Sequence, residues 1–196
     1  MGPLGESPPV LEYEQCVDWI CESLAPLGGA YVDTVRRGCL EERWVDVYPT
    51  AGKMGNAFSA GAPGTSPFIM MNFDGTAVAL GTLAHELGHS MHSYLTWQSQ
   101  PQPYTYYSMF VAEVASNFHQ ALLRAHLLDV LDDRRLELAV LEEAMANLHR
   151  YLFIMPTLFI LIMTMALRDA FTPGASIDAA YVVVDLDQST HAKSLI

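Results

Sequence analysis

One stretch of the chain decides its fold, and its sequence is Thr82-Leu83-Ala84-His85-Glu86-Leu87-Gly88-His89-Ser90-Met91-His92-Ser93. Apolar side chains recur through it at helical spacing, so we predict a helix that begins after Gly75. His85 and His89 are four residues apart, which places them on one helix face with their Cβ atoms about 5–6 Å apart. Two imidazoles at this spacing can converge on one zinc ion.

The residue after His85 is Glu86, which completes an H-E-x-x-H pattern. A carboxylate at this position flanks the open side of a zinc site, where it can take a proton from a water molecule and pass it to a leaving amine. The pattern therefore predicts metal-assisted hydrolysis. The alternative is an ordinary helix whose two histidines are satisfied by backbone groups or water.

A catalytic zinc site needs a third protein ligand, and Glu113 is the best candidate. Its neighbours in the chain are strongly apolar, and burying a carboxylate among them is costly unless a cation or metal pairs with it. The alternative is that Glu113 belongs to a polar helical stripe that faces water and extends to Arg124. His92 lies about 10 Å along the helix from His85, too far for both to bind one metal.

The composition excludes several classes of protein. Of the 196 residues, 51% are apolar and 16% are charged, so the chain is not disordered and has the length of one domain. The formal net charge of −12 argues against general nucleic-acid binding and against docking on an anionic membrane. The three cysteines indicate free thiols, and no secretory signal is evident before Val10, so we expect a cytoplasmic protein.

The rest of the chain is predicted to be mainly helical. Apolar periodicity and the positions of glycine and proline predict helices over residues 10–24, 30–37, 106–130 and 132–153. Residues 51–67, rich in glycine and proline, are predicted to form a loop. The apolar run at 67–73 predicts a strand, which we place at a sheet edge because proline opens it, and another strand is expected at 181–184.

The uncharged stretch at 151–167 allows two interpretations. A membrane-spanning helix needs about 20 residues, and Pro156 interrupts this shorter run. A buried helix that is kinked or broken at Pro156 is therefore favoured over a membrane helix. The helical histidines His119 and His126 are expected to pair with nearby carboxylates or to lie partly exposed.

Several segments together resemble the oligopeptidase F branch of the thimet oligopeptidase family of zinc metallopeptidases. The similarity rests on residues 82–93 and on Phe110-Val111-Ala112-Glu113-Val114-Ala115-Ser116, with further matches at 43–48, 52–53, 67–73 and 148–158. It covers about residues 11–158, while 159–196 diverge. The resemblance implies a zincin-like catalytic core, mainly α with a small β-sheet, that forms part of the full family domain.

The resemblance also implies the roles of individual residues. His85, His89 and Glu113 are expected to bind one Zn²⁺ per chain, with Glu86 as general base in the hydrolysis of short peptides. The strand at 67–73 is expected to line the cleft, where an extended peptide could pair with its unpaired backbone groups. The substrate-binding residues predicted on this basis are Phe68, Ile69, Met70, Met71 and Asn72.

The sequence departs from the family pattern in ways that leave a second function open beside the peptidase. An Asn-Glu pair is expected after the ligand glutamate, but this chain has His119-Gln120, so a carboxylate supporting the metal site is lost. Family members are also much longer. The alternative is a catalytically impaired zinc-binding fragment, and a membrane-associated protein is a weaker third. We predict a single domain over residues 1–196 that self-associates through exposed apolar surface.

Overall fold

The computed structural model describes residues 9–167 of the chain. The helices within this range are α1 Tyr13–Ser23, α2 Gly29–Leu40, α3 Ala77–Ser99, α4 Met109–Val130, α5 Arg134–His149 and α6 Met155–Leu167. The strands are β1 Val45–Asp46, β2 Phe58–Ala60 and β3 Phe68–Met70. The predicted class, mainly α with a small β-sheet, is confirmed. The strand predicted at 181–184 lies outside the described residues.

Helix α3 lies at the centre of the fold, in contact with α4, β2 and β3. The side chain of Thr76 begins it by accepting a hydrogen bond from the Ala79 N–H. Apolar residues three or four positions apart bury one face of the helix, namely Leu80, Leu83, Leu87 and Met91. They share a core with Val17 and Ile20 of α1 and Leu123 and Leu127 of α4. Burial of this face fixes the rotation of α3, and with it the direction of its histidines.

Helix α2 runs through Gly38, although the helix was predicted to end at residue 37. A Cβ atom at Gly38 would lie 2.4 Å from the Trp44 ring. The glycine therefore makes room for a buried tryptophan instead of ending the helix. Helix α1 begins later than predicted, because the Leu11 N–H pairs with the Gly75 carbonyl in a loop contact.

The sheet has the strand order β1-β3-β2, which corrects two predictions. Strand β3 is central: it is parallel to β1 and antiparallel to β2, with Ser59 opposite Ile69. The prediction of an edge strand at 67–73 is therefore wrong. Strand β2, at an edge of the sheet, lies inside the segment predicted to be a loop.

Helices α3 and α4 approach each other closely at Gly88. A Cβ atom on Gly88 would lie 2.5 Å from the Ser116 Cα and 2.8 Å from the Ala115 carbonyl oxygen. Contacts this short with backbone atoms cannot be relieved by moving a flexible side chain. The glycine in the histidine motif therefore permits the close packing that brings α4 against the face of α3 that carries the histidines.

We expect Gly88→Ala to lower the free energy of unfolding by about 2 kcal/mol or more, because a methyl group at this contact forces the helix backbones apart. Urea unfolding would measure the change. Gly29→Ala is the matched control, since nothing lies within 4 Å of its added Cβ. That variant should be neutral or slightly stabilising. Equal effects of the two substitutions would contradict close packing at Gly88.

The described residues divide into two compact units, 9–148 and 149–167. In the second unit, residues 150–154 form a wide π-helical turn directly before α6. Such a turn accommodates Pro156, which has no N–H to donate and whose ring clashes with the preceding turn of a regular helix. The single domain predicted over residues 1–196 stays a prediction.

The side chains at 151–167 are exposed, so the predicted burial of this helix is wrong for the chain as described. Among residues 9–167, one helical run, Arg134–Leu167, is long and apolar enough to span a membrane by length and composition alone. None of the residues in the most apolar 18-residue part of this run is buried.

Candidate metal and catalytic site

Three predicted ligands meet where α3 packs against α4. The Nε2 atoms of His85 and His89 lie 3.1 Å apart. Glu113 Oε2 is 3.4 Å from His85 Nε2, and its Oε1 is 3.8 Å from His89 Nε2. All three side chains are partly buried and can each offer one ligand atom to the same point.

These distances fit a zinc ion. Ligand atoms about 2.0–2.2 Å from a tetrahedral zinc lie roughly 3.3–3.6 Å from one another, close to the observed separations of 3.1, 3.4 and 3.8 Å. The donor set of two imidazoles and one carboxylate is that of catalytic zinc sites, which keep the fourth position open. Burial lowers the pKa of His89, and the nearby His85 adds to the effect. A lowered pKa favours the neutral imidazole, the form that binds metal.

Glu86 lies beside this group and is only 7% exposed. Burial and, to a lesser extent, the nearby charge of Glu113 raise the pKa of its carboxyl to about 7, although a hydrogen bond from the Ser59 N–H partly opposes them. Glu86 is absent from the group of three possible ligands. Its position leaves it available for proton transfer.

A network behind His85 fixes the orientation of its ring. The Nδ1–H of His85 donates to the Gln120 side-chain oxygen over 3.0 Å, which leaves Nε2 free for a metal. Asn147 donates to the same oxygen, and the Gln120 amide donates to Glu143. Two hydrogen bonds from Arg124 hold Glu143 in place. Gln120 thus occupies the supporting position where the family pattern has a carboxylate.

The polar stripe on α4 faces α3 instead of water. Ser116 and Gln120 are buried, and the Glu113 side chain is 35% exposed. Ser116 and Asn117 both donate to a Glu113 carboxylate oxygen. The water-facing interpretation of the stripe is therefore wrong, and these contacts orient Glu113 toward the histidines.

The group of three opens into a cavity of about 460 Å³. Its walls include Phe58 and Ser59 of β2 as well as Glu86, Ser93 and Tyr107. The substrate-binding residues predicted at 68–72 do not line it, because β3 is covered by strands on both sides. Strand β2 is an edge strand instead, and its three residues lie in the glycine-rich segment that was predicted to be a loop.

Two further histidines have partners that the sequence did not indicate. His119 is 2% exposed and accepts a hydrogen bond from the Tyr31 hydroxyl over 2.7 Å, not from a carboxylic acid. His92 stacks on the Tyr107 ring, with centroids 4.0 Å apart. His126 is partly exposed, as expected, and its partner is Glu22. The partners of these three histidines lie in other segments of the chain, so no local pattern could predict them.

The buried His119 should make the fold less stable in acid. Burial lowers its pKa to about 4. Between about pH 4 and pH 6.5, His119 is protonated in the unfolded chain but neutral in the folded chain. The free energy of unfolding therefore falls as the pH falls through this window. We expect His119→Gln to remove about 1.4 kcal/mol per pH unit from the slope of stability against pH in this window.

Urea unfolding between pH 4 and 7 would measure this slope. His126→Gln is the control, because that histidine is partly exposed beside Glu22. A slope unchanged in His119→Gln would show that other groups cause the acid sensitivity.

An H-E-x-x-H helix with a glutamate supplied by a following helix is typical of zinc peptidases. The model of peptidase family M3 matches residues 29–166, and the chain belongs to this family. Oligopeptidase PepF of Bacillus subtilis is 46% identical over 141 residues, which cover 72% of this chain and 21% of that protein. The oligoendopeptidase F homolog of Borreliella burgdorferi is 43% identical over 117 residues, covering 59% of this chain and 20% of that protein. The resemblance to the oligopeptidase F branch is thereby confirmed.

Solved structures agree with this assignment. A candidate peptidase from Chlamydophila abortus superposes with a TM-score of 0.69 at 34% identity, over 77% of this chain and 25% of that one. A candidate oligoendopeptidase F from Bacillus anthracis has the same fold, with a TM-score of 0.57 at 21% identity over 68% of this chain and 24% of that one. The chain spans about a fifth of the length of the curated relatives it matches.

Proposed function

We propose that this chain carries the zinc-dependent catalytic centre of an oligopeptidase that hydrolyses short peptides. One observation carries the proposal: the buried carboxylate of Glu86 lies beside the group formed by His85, His89 and Glu113, and all four line one cavity. The names of the relatives, oligopeptidase and oligoendopeptidase F, support the substrate class. The buried, unpaired cysteines are consistent with a cytoplasmic location.

The residues have distinct roles in this proposal. His85, His89 and Glu113 hold the metal, and Gln120 orients His85. When bound, zinc would act as a Lewis acid that polarises the peptide carbonyl and lowers the pKa of a water molecule. Glu86 accepts the proton of the attacking water and later donates it to the leaving amine.

The edge of β2 is suited to align the peptide. Ser59 donates its N–H toward Glu86, so its backbone groups point away from β3 and into the cavity. Backbone groups alternate in direction along an antiparallel strand, so those of Ala57 and Gly61 share this outward direction. An extended peptide can hydrogen-bond to such an edge whatever its sequence.

The proposal is tested by metal content and peptide cleavage in the same preparation. Protein purified without chelators should contain one zinc per chain and cleave quenched fluorescent peptides. A chelator should stop cleavage, and added zinc should restore it. A well-folded protein that binds no zinc would overturn the proposal.

A zinc-binding but catalytically impaired fragment is the second candidate. It is favoured by the neutral amide of Gln120 against His85 and by the small share of its relatives that the chain spans. Zinc at one ion per chain, without cleavage of any member of a broad peptide library, would favour this candidate over the first.

A further inference from the structure

A second cavity of about 220 Å³ adjoins the candidate catalytic cavity. Ser59, Ser93 and Tyr107 line both, which places the two side by side. The far wall of the second cavity is formed by Trp97 of α3 and by Gly61, which follows β2. No metal ligand and no charged side chain lines it.

The second cavity lies along the direction that a bound peptide would follow. His89, Ser93 and Trp97 are successive turns apart on α3, so Trp97 is about 12 Å along the axis from His89. Strand β2 accompanies the helix over this distance: the Ser59 hydroxyl is 2.8 Å from that of Ser90, and Gly61 lies against the Trp97 ring. At about 3.3 Å per residue, three or four residues of an extended peptide span the interval.

The walls of this cavity are held in place by contacts within the chain. A Cβ atom at Gly61 would lie 2.4 Å from Trp97 Cη2, so the indole ring packs directly on the glycine backbone. The Tyr107 hydroxyl is hydrogen-bonded to Ser93, and its ring stacks on His92. Walls fixed in this way lose little freedom when a ligand binds, which favours affinity.

We propose that this second cavity is a specificity subsite for one bulky aromatic or aliphatic side chain of the peptide, three or four residues from the scissile bond. The inference rests on the proposed peptidase function. A pocket with an indole wall gains from burying apolar surface, and its lining offers no charged partner to offset the cost of burying a charge. Peptides with glutamate or lysine at that position should therefore bind no better than those with glycine.

The test uses pairs of peptides that differ only by Phe or Gly at one position, scanned over five residues on each side of the scissile bond. Binding is measured with the zinc-loaded Glu86→Gln protein, so that hydrolysis does not interfere. We expect Phe to be preferred about 10- to 100-fold at one position three or four residues from the bond. In Trp97→Ala the preference should fall to about 2-fold or less, whereas Tyr104→Ala, which removes an exposed ring outside the cavity, should retain it.

A second measurement avoids dependence on the folding of Trp97→Ala. The indole N–H NMR signal of Trp97 should shift when the preferred Phe peptide is added to the Glu86→Gln protein, and should stay unchanged with a Phe peptide substituted elsewhere. Equal affinity for Phe and Gly at every position, or a preference that survives Trp97→Ala in a folded protein, would overturn the subsite. Absence of hydrolysis by the wild-type chain would count against the proposed function alone, because the subsite is judged on binding.

Discussion

Glu86→Gln is expected to reduce the rate of peptide hydrolysis by about 100- to 10,000-fold, the range typical of losing a general acid–base group. The amide has almost the shape of the carboxylate but cannot accept a proton from water. Glu86 is absent from the group of possible ligands, so zinc content should remain at one ion per chain. The measurement pairs kcat/KM on a quenched peptide with metal analysis of the same sample.

Glu14→Gln is the matched control for this loss. Glu14 is an exposed carboxylate on α1, outside the cavity, and its replacement should leave kcat/KM unchanged. If Glu86→Gln retained activity within tenfold of wild type, another group would have to be the base. If it lost both zinc and activity, Glu86 would support the metal site instead of transferring protons.

The histidine helix and the direction of the face that carries His85 and His89 could be predicted from the sequence because both depend on local periodicity. His85 and His89 share a face whatever α3 packs against. The apolar residues that bury the opposite side follow the same period, so the pattern also predicts which side faces the core. For Glu113, the same reasoning left a metal ligand and a water-facing residue as alternatives. The close helix contact at Gly88 distinguishes them.

The position of the strands could not be predicted in the same way. Strand β2 has three residues inside a segment where glycine and proline indicate a loop, and its pairing with β3 joins residues that are distant in the chain. The proline before β3 suggested an edge, but Pro67 lies just outside the paired residues and costs the ladder no hydrogen bond. The edge of the sheet was therefore assigned to the wrong strand.

The role of Gln120 could be predicted only in part from the sequence. Because Gln120 stands where the family pattern has a glutamate, we expected it to support the metal site. Its contact with His85 and its links to Asn147 and Glu143 depend on how α3, α4 and α5 pack. A neutral amide can orient the imidazole as a carboxylate does, but it gives less negative charge to strengthen the ligand.

His89→Ala is expected to weaken zinc binding by more than about 100-fold, because it removes one of three protein ligands. Loss of a supporting residue typically costs about 10- to 100-fold, so Gln120→Ala should fall between His89→Ala and wild type. Competition with a chromophoric chelator would measure the three affinities. Peptide hydrolysis should fall in parallel with zinc occupancy, and excess zinc should restore part of the activity of Gln120→Ala.

His126→Ala is the control, since this histidine lies on the same helix as Gln120 but pairs with Glu22 away from the cavity. Its zinc affinity should equal that of wild type. Unchanged affinity in His89→Ala would mean that the metal is held elsewhere. The order of the two zinc affinities also tests the geometry of the site. His89→Ala should weaken zinc binding more than Gln120→Ala, because His89 contacts the metal directly and Gln120 acts only through His85. If Gln120→Ala lost as much affinity as His89→Ala, the orientation of His85 would matter to the site as much as a ligand does.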